Sequence, residues 1–437
     1  MDREEMEEAE VCVSGGGEAV EVSADVGSSS PPLPSEIAAS PGRFLLQTDW
    51  STALREEDKK IWAGYQKSGV PKPQYTDIQI AYEGSGDDCC TFVCTDSLLS
   101  AAFSNDQKTR IRLSSTENNQ SSEFLSASRV FSDLHSGSVY SVDVSAGGLG
   151  VSSSSDGKLL IWDAKDGSVQ RNLQGHVVDV NVCRFFPSGL VVLSGGADMR
   201  LMIWSVETGE CAQQLVGHTQ GITDVDFVEM GKNVLSCSKD GSVKLWDCGS
   251  AAVLADIKTE CGSLRSLDLL TTVDEPSANA KPLDERETGT LGKRVMFGSD
   301  SGLLCVYDLA SRTQINKLVC DGGVLTCKQV SESRVMCGTE NGTIYFFDLR
   351  ETQSPLLVRR DYRGQVHRVI KAFGGFFASF NDGTVAHWPQ GTAKELPALE
   401  MSGVDCDPVY DMAFVSPNLY TAARDGVIRK YEMSRKQ

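Results

Sequence analysis

Trp162, Trp204 and Trp246 stand 42 residues apart, and the residues around them keep the same step: "SSSSDGKLLIWD", "LSGGADMRLMIWS" and "LSCSKDGSVKLWD". Asp156, Asp198 and Asp240 repeat at 42, as do Ser152, Ser194 and Ser236, while His135, His176 and His218 repeat at 41 and 42. A fixed period of this size marks a repeat architecture, in which no unit can bury its apolar face alone. Weaker copies follow. "SDSGLLCVYD" puts Tyr307 at the tryptophan position 61 residues after Trp246, which leaves a 19-residue insertion within 271–294. Phe347, Trp388 and Tyr431 then follow at steps of 40, 41 and 43, so seven copies result.

Within each copy the apolar residues alternate as in strands, and Asp-Gly or Asn-Gly separates the runs. These dipeptides recur at 156–157, 240–241, 341–342, 382–383 and 425–426 and predict two-residue primed hairpin turns with positive φ. Seven such four-stranded sheets around an axis make an all-β, seven-bladed propeller over residues 123–437. The last copy ends too soon to hold its own outer strand, and "EFLSASRVF" (123–131) is predicted to supply it and latch the ring.

Two further segments precede the repeats. Residues 1–42 carry ten acids against the single base Arg3, and their Glu, Gly and Ser content predicts a disordered acidic tail. Residues 43–122 read as a small N-terminal domain. It opens on "TDWSTALREEDKKIWAGYQK", where Leu54, Ile61, Trp62 and Tyr65 predict an amphipathic helix, and continues in short strands. The net charge of −19 opposes nucleic acid and anionic membranes as partners, and there is no apolar run of spanning length. Without a leader-like N-terminus, the expectation is a cytoplasmic protein, or a nuclear one, monomeric before it binds a partner.

Three copies of a Ser/His/Asp set at one period point to fold, since a catalytic triad would occur once. Of the five histidines, His367 and His387 remain, neither with metal-ligand spacing nor a nucleophile beside it. The cluster Cys89, Cys90 and Cys94 lacks a fourth ligand, and no phosphate-binding glycine loop occurs. The expectation is therefore no enzyme, no metal and no cofactor, but a recognition surface. Acidic residues at blade entrances (Asp179, Asp224, Asp405, Asp407 and Asp411) are the candidates for holding a partner rich in Lys and Arg.

"GH" at Gly175–His176 and Gly217–His218, the Asp-Gly turns and the "WD" ends at Trp162–Asp163 and Trp246–Asp247 resemble the WD40 repeat family. That resemblance implies buried tetrads of His135, Ser152, Asp156 and Trp162; of His176, Ser194, Asp198 and Trp204; and of His218, Ser236, Asp240 and Trp246. Blades four to seven lack the histidine, and Ser301 and Asn341 replace the aspartate in blades four and five. "FFDLR" ending at Arg350 is similar to a motif by which some members dock on a cullin adaptor, which gives an alternative role as a ubiquitin-ligase substrate receptor. A closer resemblance rests on "LQTDWSTALR" (46–55), "GHVVDVNVCRFFPSGLVVLSGGADMRLMIWS" (175–205), "KLWDCG" (244–249) and "GVDCDPVYDMAF" (403–414). These are similar to the proteasomal ATPase-associated factor family. The resemblance implies an assembly chaperone that binds proteasomal ATPase subunits of the 19S regulatory particle. It would restrain their association with the 20S core and so negatively regulate 26S proteasome assembly.

Overall fold

A computed structural model describes residues 37–39, 42–54, 60–70, 72–82, 90–94, 99–104, 109–118, 120–271, 283–390 and 395–433. Of the acidic tail expected over 1–42, residues 1–36 lie outside the described residues, whereas Ile37–Ala39 and Gly42 stand in strands. Most of the insertion (272–282) and the side chains of Cys89 and Cys90 also lie outside them.

The repeats fold into seven antiparallel sheets, spanning residues 139–172, 180–216, 222–258, 264–319, 324–360, 366–401 and 409–432. Their first strands follow one another around a ring, and the first strand of the seventh sheet returns to that of the first. Burial explains which runs form which strands. The second and third strands of blade three, Asn233–Ser238 and Ser242–Asp247, are buried at every position, covered on both faces by neighbouring blades. The fourth strand, Ala252–Lys258, alternates and faces solvent on one side. The apolar core is accordingly a series of seams between blades. One holds Leu235 and Leu245 of blade three against Leu264 and Phe297 of blade four. Another holds Trp162 of blade one against Phe131, Tyr420 and Ala422 of blade seven, across the point where the ring closes.

The hairpin turns differ from the primed type expected. In "SSDGK", Gly157 N–H donates to Ser154 O and Ser154 N–H donates to Lys158 O, closing a three-residue loop. Gly157 has φ +75° whereas Asp156 does not have positive φ, so this is a type I turn followed by one left-handed residue. The aspartate is needed for its side chain: Asp156 Oδ1 accepts the Lys158 N–H at 3.1 Å. Six blades place glycine at the left-handed position, and blade two places Met199 there at φ +67°.

"EFLSASRVF" is divided between two blades. Arg129–Phe131 pairs antiparallel with Ile428–Glu432 and supplies the fourth strand of blade seven. Ser121–Leu125 pairs in parallel with Leu399–Met401 and, with Arg110–Ser115 and Leu99–Phe103, extends blade six to seven strands. Further upstream, Gly42–Leu46, Lys60–Lys67, Gln74–Tyr82 and Cys90–Cys94 form a separate four-stranded sheet, and Ile37–Ala39 adds a parallel fifth strand to blade five. Phe44, Ile61, Tyr65 and Ile78 of that sheet pack with Leu99, Ile111, Leu113 and Phe124 in one core.

The amphipathic helix is corrected to a single turn, Trp50–Ala53, followed by the strand Lys60–Lys67. Ile61, Ala63 and Tyr65 are buried while Trp62 is 40% exposed, so the two-residue period prevails there over the helical one.

Candidate functional site

In each of blades one to three a chain of hydrogen bonds runs from tryptophan to aspartate. In blade three, Trp246 Nε1–H donates to Ser236 Oγ at 2.8 Å, Ser236 Oγ lies 2.8 Å from His218 Nε2, and His218 Nδ1 lies 2.8 Å from Asp240 Oδ2. Blade two repeats it through Trp204, Ser194, His176 and Asp198, and blade one through Trp162, Ser152, His135 and Asp156. Burial lowers the imidazole pKa against the pull of each carboxylate, which keeps the rings neutral. Burial also raises Asp156 and Asp240, but hydrogen bonds outweigh it and hold both carboxyls at about 2. At Asp240 these come from the Ser242 hydroxyl, the Thr219 amide and the imidazole, and at Asp156 from the Ser136 and Lys158 amides and the imidazole. Neutral His and ionised Asp fix the donor order: Trp to Ser, Ser to His, His to Asp. Each serine is fully buried and already serves two partners, so it cannot meet a substrate. Blades four and five use shorter links: Ser301 Oγ donates to Cys261 O and Asn341 Nδ2 to Asp321 O.

A second network runs around the ring. Side-chain oxygens on the first strand of one blade accept backbone N–H groups from the first strand of the next. Ser141 accepts from Cys183, Asp143 from Phe185, Asp224 from Leu267, Asp226 from Leu269, Asp268 from Gln329 and Thr326 from Val369. Asp411 of blade seven accepts from Val142 of blade one and closes the circle. Asp411 also binds Arg184 at 2.7 and 3.3 Å, and Asp224 binds Arg368 at 2.9 Å. Both carboxylates are therefore spent inside the channel, with Asp224 2% and Asp411 3% exposed, and present no free charge to a partner.

The other acids lie elsewhere. Asp179 is half-buried at the entrance of blade two, its carbonyl holding the Ala197 N–H. Asp405 and Cys406 are exposed at the tip of the 403–408 loop, and Asp407 is held by Arg424 Nε at 2.7 Å. Cys406 sits at φ +57°, a conformation a side-chain-bearing residue rarely adopts. The stem of this loop is firmly tied. Ser402 Oγ accepts Trp50 Nε1–H at 2.7 Å, Ser402 N–H donates to Leu125 O, and Ser402 O accepts the Tyr431 hydroxyl at 2.8 Å. Asp382, in the neighbouring hairpin turn, pairs with Arg43. Trp50 of "LQTDWSTALR" thus reaches Ser402, the residue just before "GVDCDPVY". Arg350 is folded back on Asp348 by bonds of 2.6 and 2.9 Å.

The first strands bulge at one equivalent position in every blade. The bulged residues encircle a channel mouth of about 250 Å³. Tyr140, Tyr410 and His367 form an aromatic arc, with ring centroids 5.8 and 5.2 Å apart. Asn181, Thr223 and Arg265 form a polar arc opposite, and Leu325 stands between the two. Sequence reading missed this ring, although its signal was present: the seven positions follow steps of 41, 42, 42, 60, 42 and 43, the period of the fold itself. Among the described residues no group of three or more His, Cys, Asp or Glu side chains could hold a metal ion.

Seven radial sheets, a first strand at the axis, Ser/His/Asp/Trp chains and a latch from upstream define a WD40-type β-propeller. A family model described as "WD domain, G-beta repeat" matches residues 127–163, 167–205 and 209–247. A solved structure titled "Structure of U3-55K" superposes with a TM-score of 0.60 over 70% of this chain and 98% of its own, at 15% identity, a likeness of fold alone. Relatives carry a more particular name. Proteasomal ATPase-associated factor 1 of Homo sapiens is 41% identical over 393 residues, and that of Gallus gallus 42% over 395; each alignment covers 89% of this chain and 98% of the relative. "Probable proteasomal ATPase-associated factor 1" of Dictyostelium discoideum is 35% identical over 425 residues, covering 88% and 95%. The chain belongs to the proteasomal ATPase-associated factor 1 family.

Proposed function

We propose that this propeller acts without catalysis as an assembly factor of the proteasome regulatory particle. It binds ATPase subunits, and while bound it withholds them from the 20S core. It does so in the cytosol or nucleus. The observation that carries it is the 403–408 loop. Its stem is fixed from three directions through Ser402, and its tip displays Asp405 beside the strained Cys406, with Asp407 next to it half-buried and paired with Arg424 at the surface. A rigid acidic projection suits a basic protein surface, because little ordering entropy is lost on contact and like-charged surfaces are rejected. The printed name of the relatives supplies the partner class, and the net charge of −19 agrees with a basic one. Asp179 is the second candidate contact, at the entrance of blade two. Arg350, occupied by its own Asp348, gives no support to the cullin-adaptor reading.

The test is capture of regulatory-particle ATPases by the full chain and by the Asp405→Lys/Asp407→Lys variant. We expect capture to fall about tenfold, a loss of roughly 1.4 kcal/mol, with the melting temperature held. Undiminished capture at moderate salt removes the loop from the interface.

A further inference from the structure

We propose that the channel mouth is a binding site for a peptide carboxylate borne next to an aromatic or apolar side chain. The cavity of about 250 Å³ has room for one or two residues, and its walls are of two kinds. On one side Arg184, Arg368, Arg265 and Lys239 gather four cations against the carboxylates of Asp224 and Asp411. Arg184 is saturated by Asp411, Ser141 and the Val142 and Cys183 carbonyls. Arg368 is not. Its guanidinium donates one hydrogen bond among the described residues, to Asp224, and its buried Nε, 3.3 Å from Asp411, makes none.

At the rim, Arg265 is tied through Nε to Asp300, 2.5 Å away, and Lys239 has no ion pair among the described residues. With Asp300 and the Asp143 carboxylate beside Arg184 counted, four cations face four carboxylates, but Lys239 Nζ and Arg368 Nε are left without a hydrogen-bond acceptor among the described residues. A single carboxylate would take up that unused donor capacity through charge-assisted hydrogen bonds from Lys239 and from the outer nitrogens of Arg265. The aromatic arc of Tyr140, Tyr410 and His367 stands across the cavity. A bare inorganic ion would leave those rings unused, whereas a ring or branched side chain beside the carboxylate packs against them. The site is separate from the 403–408 loop tip, so this inference does not rest on the proteasomal reading, and either can fail alone.

Binding to the full chain would be measured calorimetrically with acetyl-Gly-Phe-Gly as the free acid, its C-terminal amide, acetyl-Gly-Phe-Glu-amide, and acetyl-triglycine free acid. The free acid, the Glu peptide or both are expected to bind at least about tenfold more tightly than the uncharged amide and than acetyl-triglycine. Binding by the free acid alone assigns the site to a chain terminus, and binding by the Glu peptide alone to an acidic side chain; either outcome supports the proposal. Arg265→Ala/Lys239→Ala, both at exposed positions, should reduce that affinity about tenfold with an unchanged melting temperature. Equal binding of acid and amide, undiminished binding by the double variant, or displacement by inorganic phosphate at concentrations below that of the peptide would each overturn the proposal.

Discussion

The Ser/His/Asp sets show how one trio of residue types serves opposite ends in different surroundings. Hydrolytic use needs an exposed serine with a lone pair aimed at substrate. Ser236 is fully buried and bonded on both sides. Ser236→Ala strands the Trp246 indole N–H and a ring nitrogen of His218 in the core, and should cost about 2–3 kcal/mol. Differential scanning calorimetry should show the loss, while ATPase capture below the new melting temperature stays intact. Loss of capture without loss of stability would contradict the structural assignment.

Acid should weaken the same networks. The imidazoles, lowered by burial, and the carboxyls of Asp156 and Asp240, held at about 2, bind protons less readily folded than unfolded. Both therefore contribute stability that is complete above the unfolded pKa and is lost on acidification. That loss begins near pH 6.5 for the histidines and runs from about pH 4 to 2 for the aspartates. Between pH 7.5 and 5 the wild-type melting temperature should fall, and His218→Gln, weaker at pH 7.5, should fall less. Met199 makes a prediction of opposite sign. At φ +67° in a turn where the other six blades use glycine, Met199→Gly should stabilise the fold by about 0.5–1 kcal/mol, read as a higher denaturation midpoint.

At the scale of elements, much of the fold was legible because the period, the strand alternation and the turn dipeptides all point to the same sheet. Where they conflicted, local pattern misled. Leu54, Ile61, Trp62 and Tyr65 fit a helix, but burial of Ile61, Ala63 and Tyr65 on one face of a sheet is what the neighbouring strands reward. Asp-Gly named a turn but not its type, since a three-residue loop uses the same dipeptide and exploits the aspartate as a cap. Ser402 could not be found from sequence at all. It joins Trp50, 352 residues away, and only packing creates that contact. Likewise Asp224 and Asp411 look like entrance acids until the ring brings Arg368 and Arg184 to them.

The latch carries its own prediction. Phe131 is 5% exposed and lies 5.1 Å from the Trp162 ring, across the closure of the propeller. Phe131→Ala should cost about 3–5 kcal/mol, checked by urea denaturation. A chain begun at residue 123 cuts the strand Ser121–Leu125 and strips the cover from Phe124, Leu125 and the Glu400–Arg363 ion pair. It should be recovered as aggregate, where a chain retaining residues 33–437 is soluble.

For the whole molecule, the two hydrogen-bond systems divide the labour. The tetrads stiffen blades one to three. Among the described residues, axial carboxylates and hydroxyls join five of the seven neighbouring pairs of blades. Asn181 Nδ2 joins blades two and three through Ile222 O, and the Arg368–Asp411 ion pair joins blades six and seven. The result is a rigid ring on which one strained, acidic loop and one cation-lined mouth are displayed. Rigidity is what a masking role requires, because a bound partner can be kept from a third body only by a surface that does not yield. Masking is tested by mixing purified ATPase modules with 20S core at fixed concentrations, adding increasing amounts of this chain, and separating the complexes by sedimentation. The ATPase–core peak is expected to decline as an ATPase–propeller peak grows, with no species containing all three. A ternary complex of propeller, ATPases and core, stable across the titration, would contradict masking.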